Sequence, residues 1–339
     1  MTVTSSLTAD ELLEVDTEEV ERPGELSFAK NVFLPLSTAC MNSCNYCAFF
    51  DEPGEAEVMT EKEVRERLED GRKLGCTEAL FSFGTHPETY PAVRDKLEEM
   101  GYGSGLDYLQ QMCKVALEVG ILPHSNPGYL TYDELGRLGE VNASMGLMLE
   151  STAEIEAHEG YETKQPERRI EVLENAGEQE IPFTTGILVG VGESWRDRAD
   201  SILEIGRIHE EFGHIQEVIV QNVVPNERSD YDKPSVEEME RVVAMARYGL
   251  PDEVEVQVPP NLTENLPRMV EAGVGDFGGV SPVTSDYINP EYDWPEVRKL
   301  EEVAERCGLG IEKRLPVYER YVNEDWLSGP VLEVARQLG

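Results

Sequence analysis

Basic residues are scarce in this chain. Its 339 residues carry 29 Lys and Arg against 68 Asp and Glu, a formal net charge of −39, and lysine is rarer than arginine. Neutralising a phosphate backbone takes clustered cations, so nonspecific nucleic-acid binding is excluded. Long apolar runs are also missing. No stretch is long enough to span a bilayer, so no membrane partner is expected. The first ten residues lack the basic region and apolar core of a secretory signal. Cysteine is sparse at six residues, too few for a disulfide framework in a chain of this length. Cys76, Cys113 and Cys307 stand singly and read as small buried apolar residues. Isolated thiols suit a reducing cytosol, so a cytoplasmic location is expected.

The acid excess has three competing explanations. A disordered acidic chain would lack the apolar periodicity seen here. A basic partner would call for one acidic block, whereas acids occur along most of the chain. Adaptation to high salt fits best: at molar salt the Debye length is about 3 Å, so self-repulsion is screened while carboxylates stay hydrated.

What the chain does have is alternation. Residues 1–26 form an acidic N-terminal arm, expected to be loose with at most a short helix. Short apolar runs then fall at 31–38, 77–83, 121–125, 144–149, 183–189, 216–222, 253–258 and 276–280. Amphipathic stretches lie between and after them, at 60–74, 105–119, 132–139, 166–178, 196–212, 235–247, 263–272 and 295–307. Thr60 followed by Glu63 marks a helix start. Eight strand–helix alternations predict an α/β fold, a closed parallel (β/α)8 TIM-type barrel over 27–339 with a C-terminal extension. Chemistry in such barrels sits at the C-terminal ends of the strands.

Directly after the first strand stand Cys40, Cys44 and Cys47, spaced C-x3-C-x2-C. Three thiolates so close in sequence must fold around one soft metal centre. A structural zinc site wants four ligands, usually two close pairs, and no second pair exists. An iron–sulfur cube normally takes four cysteines, so three leave one iron open to a substrate. This is the pattern of the radical S-adenosylmethionine (SAM) enzymes. It predicts one 4Fe–4S cluster on Cys40, Cys44 and Cys47, with SAM as second cofactor. The scatter of the other cysteines argues against a further cluster. A noncatalytic electron carrier, which would need a fourth cysteine, is the reading from a different class.

Other strand ends supply candidates. Tyr46 is expected near the adenine of SAM, or as a shield for the cluster. Gly84 allows backbone to approach a ligand, and Thr85 stands where the radical SAM family usually has a carboxylate, so only the backbone role survives. His86 reads as an ordinary loop histidine. His124 is the histidine candidate for proton transfer, with a loop-bracing hydrogen bond as alternative. Glu150, ending an apolar strand, is a catalytic or ribose-binding candidate, with a salt bridge to a barrel arginine as alternative. Gly186, Leu188 and Gly190 match the family's G-x-I-x-G-x-x-E pattern, with Leu188 in the isoleucine place, and are expected to support adenine. Glu193 fits there or as a helix cap. Asn126, Gln221, Asn222, Gln257 and Ser281 offer polar groups for a hydrogen-bond-rich heterocycle.

Several longer segments narrow the resemblance: 31–36, 124–128, 145–152, 182–186, 214–218 and 278–284. Together they resemble the radical SAM subunit family of 7,8-didemethyl-8-hydroxy-5-deazariboflavin (FO) synthase, haloarchaeal-like, over residues 28–320. One departure is the segment 222–228, where that family more often has an aromatic and a Lys-Pro-Gly turn. The resemblance implies hydrogen abstraction by a 5′-deoxyadenosyl radical from an adduct of a hydroxybenzyl group with ribitylamino-uracil. Cyclisation, ammonia loss and oxidation then give FO, the precursor of coenzyme F420. It implies two partners, a companion radical SAM subunit that supplies the adduct and a low-potential electron donor. The companion subunit itself and a menaquinone-pathway relative are the alternative assignments.

The charge balance generates a first prediction. Structure should be lost on transfer from molar to dilute KCl; a thermal melt unchanged between the two would refute halophilic adaptation.

Overall fold

The computed structural model describes residues 7–49, 56–229, 231–289 and 291–339. Eight strands close into a barrel: β1 (Leu26–Ser37), β2 (Glu78–Phe83), β3 (Leu122–Asn126), β4 (Ser144–Gly146), β5 (Phe183–Val189), β6 (Ile215–Asn222), β7 (Glu255–Gln257) and β8 (Asp276–Val280). Each pairs in parallel with the next, and β1 bonds both β2 and β8, so the ring has no open edge. The fold is therefore the α/β barrel expected from the alternation. Strands buried on both faces explain the unbroken apolar runs: all seven residues of β5 are buried.

Eleven helices are seen among the described residues: α1 (Ala9–Leu13), α2 (Glu61–Lys73), α3 (Pro91–Glu99), α4 (Gly105–Val119), α5 (Tyr132–Gly139), α6 (Pro166–Glu178), α7 (Trp195–Phe212), α8 (Val236–Gly249), α9 (Leu266–Glu271), α10 (Val297–Cys307) and α11 (Gly329–Leu338). Thr60 and Glu63 form the capping box that opens α2, and Ser194 with Asp197 does the same for α7. No helix among the described residues is long and apolar enough to cross a membrane.

Three features differ from the sequence expectation. The regular parts of β4 and β7 are shorter than 144–149 and 253–258, because the chain leaves the ladder early to carry residues over the barrel mouth. Helix α3 fills the connection between β2 and α4, begun by Pro91 at its first position and buried through Val93 and Leu97. Strand one starts at Leu26, since its first residues pair with a ninth strand, β9 (Ile311–Arg314), which only the distant C-terminal segment supplies. In the N-terminal arm, residues 1–6 lie outside the described residues. Beyond them, Leu12 of α1 is fully buried over Gly249 of α8.

Strand β9 closes the base of the barrel. Arg314 reaches Asp276 Oδ2 at 2.6 Å and Glu217 Oε2 at 2.6 Å, and its guanidinium lies 4.7 Å from the ring centre of Tyr318. Tyr318 donates to Asp276 at 3.1 Å, and Thr184 donates to Glu217 at 2.8 Å. Burial alone would lower the Arg314 pKa, but Asp276 and Glu217 outweigh it and hold it well above the usual value. Nearby Glu78 makes no ion pair among the described residues, and burial, only partly opposed by Arg314, pushes its carboxyl up to about 8. Removing one member of a buried ion cluster leaves the others uncompensated. Arg314→Leu is therefore expected to cost about 3–5 kcal/mol in urea unfolding at molar KCl. A loss below ~1 kcal/mol would show that the cluster does not hold the base.

Candidate active site

A cavity of about 250 Å³ opens at the C-terminal ends of the strands. Cys40, Cys44 and Cys47 line it from the loop after β1. Opposite them lie Thr85 after β2, Asn126 of β3, Glu150 after β4, Leu188 of β5 and Gln221 of β6. Among the described residues, no three His, Cys, Asp or Glu side chains close up tightly enough to hold a single metal ion. In a cube the thiolates bind separate irons, so their sulfurs need not converge on one point. Burial pushes the Cys44 thiol up to about 11 and raises Cys47 as well. These side chains need a metal cation to stand as thiolates.

The loop is seated by close approach. A Cβ on Gly84 would lie 2.0 Å from the Ala39 carbonyl oxygen and 2.6 Å from Cys40 Cβ. Only glycine lets the β2 end touch the loop. Beside it, the Thr85 carbonyl accepts the Met41 N–H at 2.9 Å, so Thr85 serves through its backbone. Tyr90 donates to the Cys40 carbonyl at 3.0 Å. On the far side, Asn42 bonds Thr163 and Ser43 bonds Tyr161, each at 2.8 Å.

Glu150 is the electrostatic centre of the site. Its backbone adopts φ 68°, a left-handed conformation that costs a non-glycine residue about 1–3 kcal/mol. The cost is offset by six contacts. Lys164 Nζ lies 2.7 Å from one carboxylate oxygen and Arg169 Nη2 3.1 Å from it. Tyr46 Oη and His158 Nε2 approach the other at 2.9 and 2.8 Å. Main-chain bonds to Gly186 and Leu188 fix the peptide. Burial would raise the carboxyl pKa, but Arg169 and Lys164, then His158, hold it well below the usual range. Glu150 is thus a permanent anion that orients its neighbours. With its oxygens accepting from four donors, it makes the salt bridge that was the alternative to a catalytic or ribose-binding role, with Arg169 as partner.

Tyr46 is held by Glu150, His158 and Lys164, each 2.9 Å from its hydroxyl. Its ring packs with Leu188, Val191, Val223, Ile155 and Ala157 in a small apolar cluster separate from the main core. That cluster is a surface on which an aromatic heterocycle can lie. Gly186 and Gly190 do not line the cavity; they shape its wall. A Cβ on Gly186 would lie 2.2 Å from the Ile219 carbonyl oxygen. The N–H groups of Gly190 and Val191 both bond the Glu193 carboxylate, which Arg198 pairs at 2.6 Å.

Of the expected substrate contacts, Asn126, Gln221 and Asn222 line the cavity. Asn222 is also tied to Val223, Leu262 and Thr263. Gln257 and Ser281 do not reach it: Gln257 packs beneath Gly278 and Ser281 bonds Thr284 at 2.8 Å. Both brace the β8 end. Sequence reasoning missed Lys164, Arg169, His158 and Asn289. The available signal was Lys164, Arg168 and Arg169, a rare basic group in an acidic chain just after strand four.

Comparison with known proteins agrees with this geometry. Residues 34–205 match the Radical SAM superfamily. The chain is 51% identical over 323 residues to the 7,8-didemethyl-8-hydroxy-5-deazariboflavin synthase of Haloarcula marismortui, covering 95% of this chain and 88% of that protein. It is 44% identical to the protein of the same name from Methanothermobacter thermautotrophicus, covering 92% and 98%. Among solved structures, methylornithine synthase superposes with TM-score 0.66 at 15% identity, covering 91% of this chain and 94% of that one. The FeFe-hydrogenase maturase HydG from Carboxydothermus hydrogenoformans gives 0.71 at 19% identity, covering 91% and 76%. At such identities these two speak for the barrel alone.

His124 lies behind the cavity wall. Its Nδ1 is 2.6 Å from Ser144 Oγ and its Nε2 is 3.1 Å from the Asn126 side-chain amide. Burial lowers its pKa to about 4. Fully enclosed, bonded at both nitrogens and neutral near pH 7, it braces Asn126, the bracing role that was the alternative to proton transfer. A histidine depressed in the folded state costs stability as pH falls, because the unfolded chain binds the proton first. The loss begins near the ordinary histidine value of about 6.5 and is complete below about 4. His124→Gln should lose less melting temperature than the parent between these two pH values. An identical slope would place the penalty elsewhere.

Proposed function

Because the chain belongs to the 7,8-didemethyl-8-hydroxy-5-deazariboflavin synthase family of radical SAM enzymes, we propose that it closes the deazaflavin ring of FO as an ammonia-eliminating lyase. The substrate is the hydroxybenzyl–ribitylamino-uracil adduct made by a companion radical SAM subunit. The bound cluster and SAM supply a 5′-deoxyadenosyl radical.

The chain's own residues bind, orient and exclude water. Cys40, Cys44 and Cys47 hold a single 4Fe–4S cluster. The observation that carries the reading is Arg169. Its side chain lines the cavity, is nine-tenths buried, and its Nε has no hydrogen-bond partner among the described residues. A buried guanidinium N–H without a partner is costly unless a ligand accepts it. The carboxylate of SAM is such an acceptor, and Lys164 stands beside it on the same Glu150 oxygen. Tyr46, Leu188 and Val223 form the apolar side that adenine would cover. Asn126, Gln221 and Asn289 line the same space and offer amides suited to a uracil and its ribityl chain. The surrounding walls keep water from the radical. Neither Glu150 nor His124 moves a proton: one is a fixed anion and the other lies behind the wall. Electrons come from a separate low-potential donor.

The test is anaerobic reconstitution with SAM, a low-potential reductant and the preformed adduct. FO and 5′-deoxyadenosine should both appear, and Cys44→Ala should lose the 4Fe–4S absorbance together with SAM cleavage. Arg169→Gln should weaken SAM binding about tenfold, the value of one charge-assisted hydrogen bond. Consumption of tyrosine plus ribitylamino-uracil in place of the adduct would reassign the chain as the companion subunit.

A further inference from the structure

The loop after β6 ends in a tight turn in which Asn226 and Ser229 exchange backbone hydrogen bonds, and the Arg228 N–H bonds Asn226 Oδ1 at 2.9 Å. From this turn three donors reach one target, the carbonyls of the cysteine loop. Arg228 Nη1 donates to the Cys47 carbonyl at 2.6 Å and Nη2 to the Ser43 carbonyl at 3.2 Å. Asn226 Nδ2 donates to the Tyr46 carbonyl at 2.9 Å. A guanidinium fork is suited to gripping two acceptors at once.

This grip has an electrostatic consequence. With these carbonyls turned onto Arg228 and Asn226, their negative ends are neutralised. Reduction adds an electron to a centre already carrying three thiolates. Positive charge held against the ligand loop by Arg228 favours that reduced state.

We propose that Arg228, seated by Asn226, is a positioning residue that raises the reduction potential of the cluster on Cys40, Cys44 and Cys47. It eases electron entry from the low-potential donor. The inference rests on the cluster assignment and not on the substrate, so it stands or falls apart from ring closure.

The test is a redox titration of the reconstituted protein without substrate, followed by electron paramagnetic resonance, with iron content measured in parallel. Arg228→Gln should keep its iron, while the ratio of reduced to oxidised cluster at a fixed solution potential falls about tenfold, a downward shift of about 59 mV for a one-electron couple. A wild-type potential in this variant overturns the proposal. If Arg228→Gln fails to keep its iron, Asn226→Ala is titrated in its place. It retains the guanidinium but removes its seat. A downward shift there supports the proposal, and a wild-type potential overturns it.

Discussion

The cysteine loop makes little regular structure of its own. Among the described residues, the backbone hydrogen bond internal to Cys40–Cys47 is the one from Cys47 N–H to the Cys44 carbonyl. A segment with unpaired peptide groups and three ligands to place must take its shape from outside. It does so from three directions. The β2 end meets it through Gly84, Thr85 and Tyr90. The segment after β4 meets it through Tyr161 and Thr163. The β6 turn meets it through Asn226 and Arg228. The loop's geometry is a property of the whole barrel mouth.

Glu150 ties those supports together. Placed by a strained backbone, it joins Tyr46 of the ligand loop to Lys164, Arg169 and His158 of the next connection. A buried carboxylate is costly alone and ordering when fully paired. Its two best partners are cations, in a chain where cations are rare. Arg314 at the base follows the same logic, one cation placed among buried carboxylates. The acid excess on the surface is spread and hydrated, while the few basic side chains inside sit where an unpaired anion would be most damaging.

Much of the fold was legible because its signals are periodic. All eight barrel strands and the helices that follow them appear where apolar runs and amphipathic stretches place them. Strand β9 was not legible, because Ile311–Arg314 is too short to read as a strand without its partner. The cysteines were legible because three ligands to one centre must be close in sequence. Lys164, Arg169 and Asn226 were not, since they meet the site only through tertiary approach and carry no spacing. His124 illustrates the opposite case. Residue type and position at a strand end suggested chemistry, but which face of β3 it occupies depends on Ser144 of the neighbouring strand.

The barrel's base has a consequence for how the molecule is made. Arg314 and Tyr318 complete the ion cluster around Asp276 and Glu217, yet they lie in the last tenth of the chain. A ribosome delivers them after every strand of the ring. Until then the nascent barrel holds buried carboxylates with no counter-ion, and its first strand lacks the partner that β9 supplies. The ring strands alone therefore do not complete the base, and a chain cut short before residue 311 forfeits the cation that its interior requires.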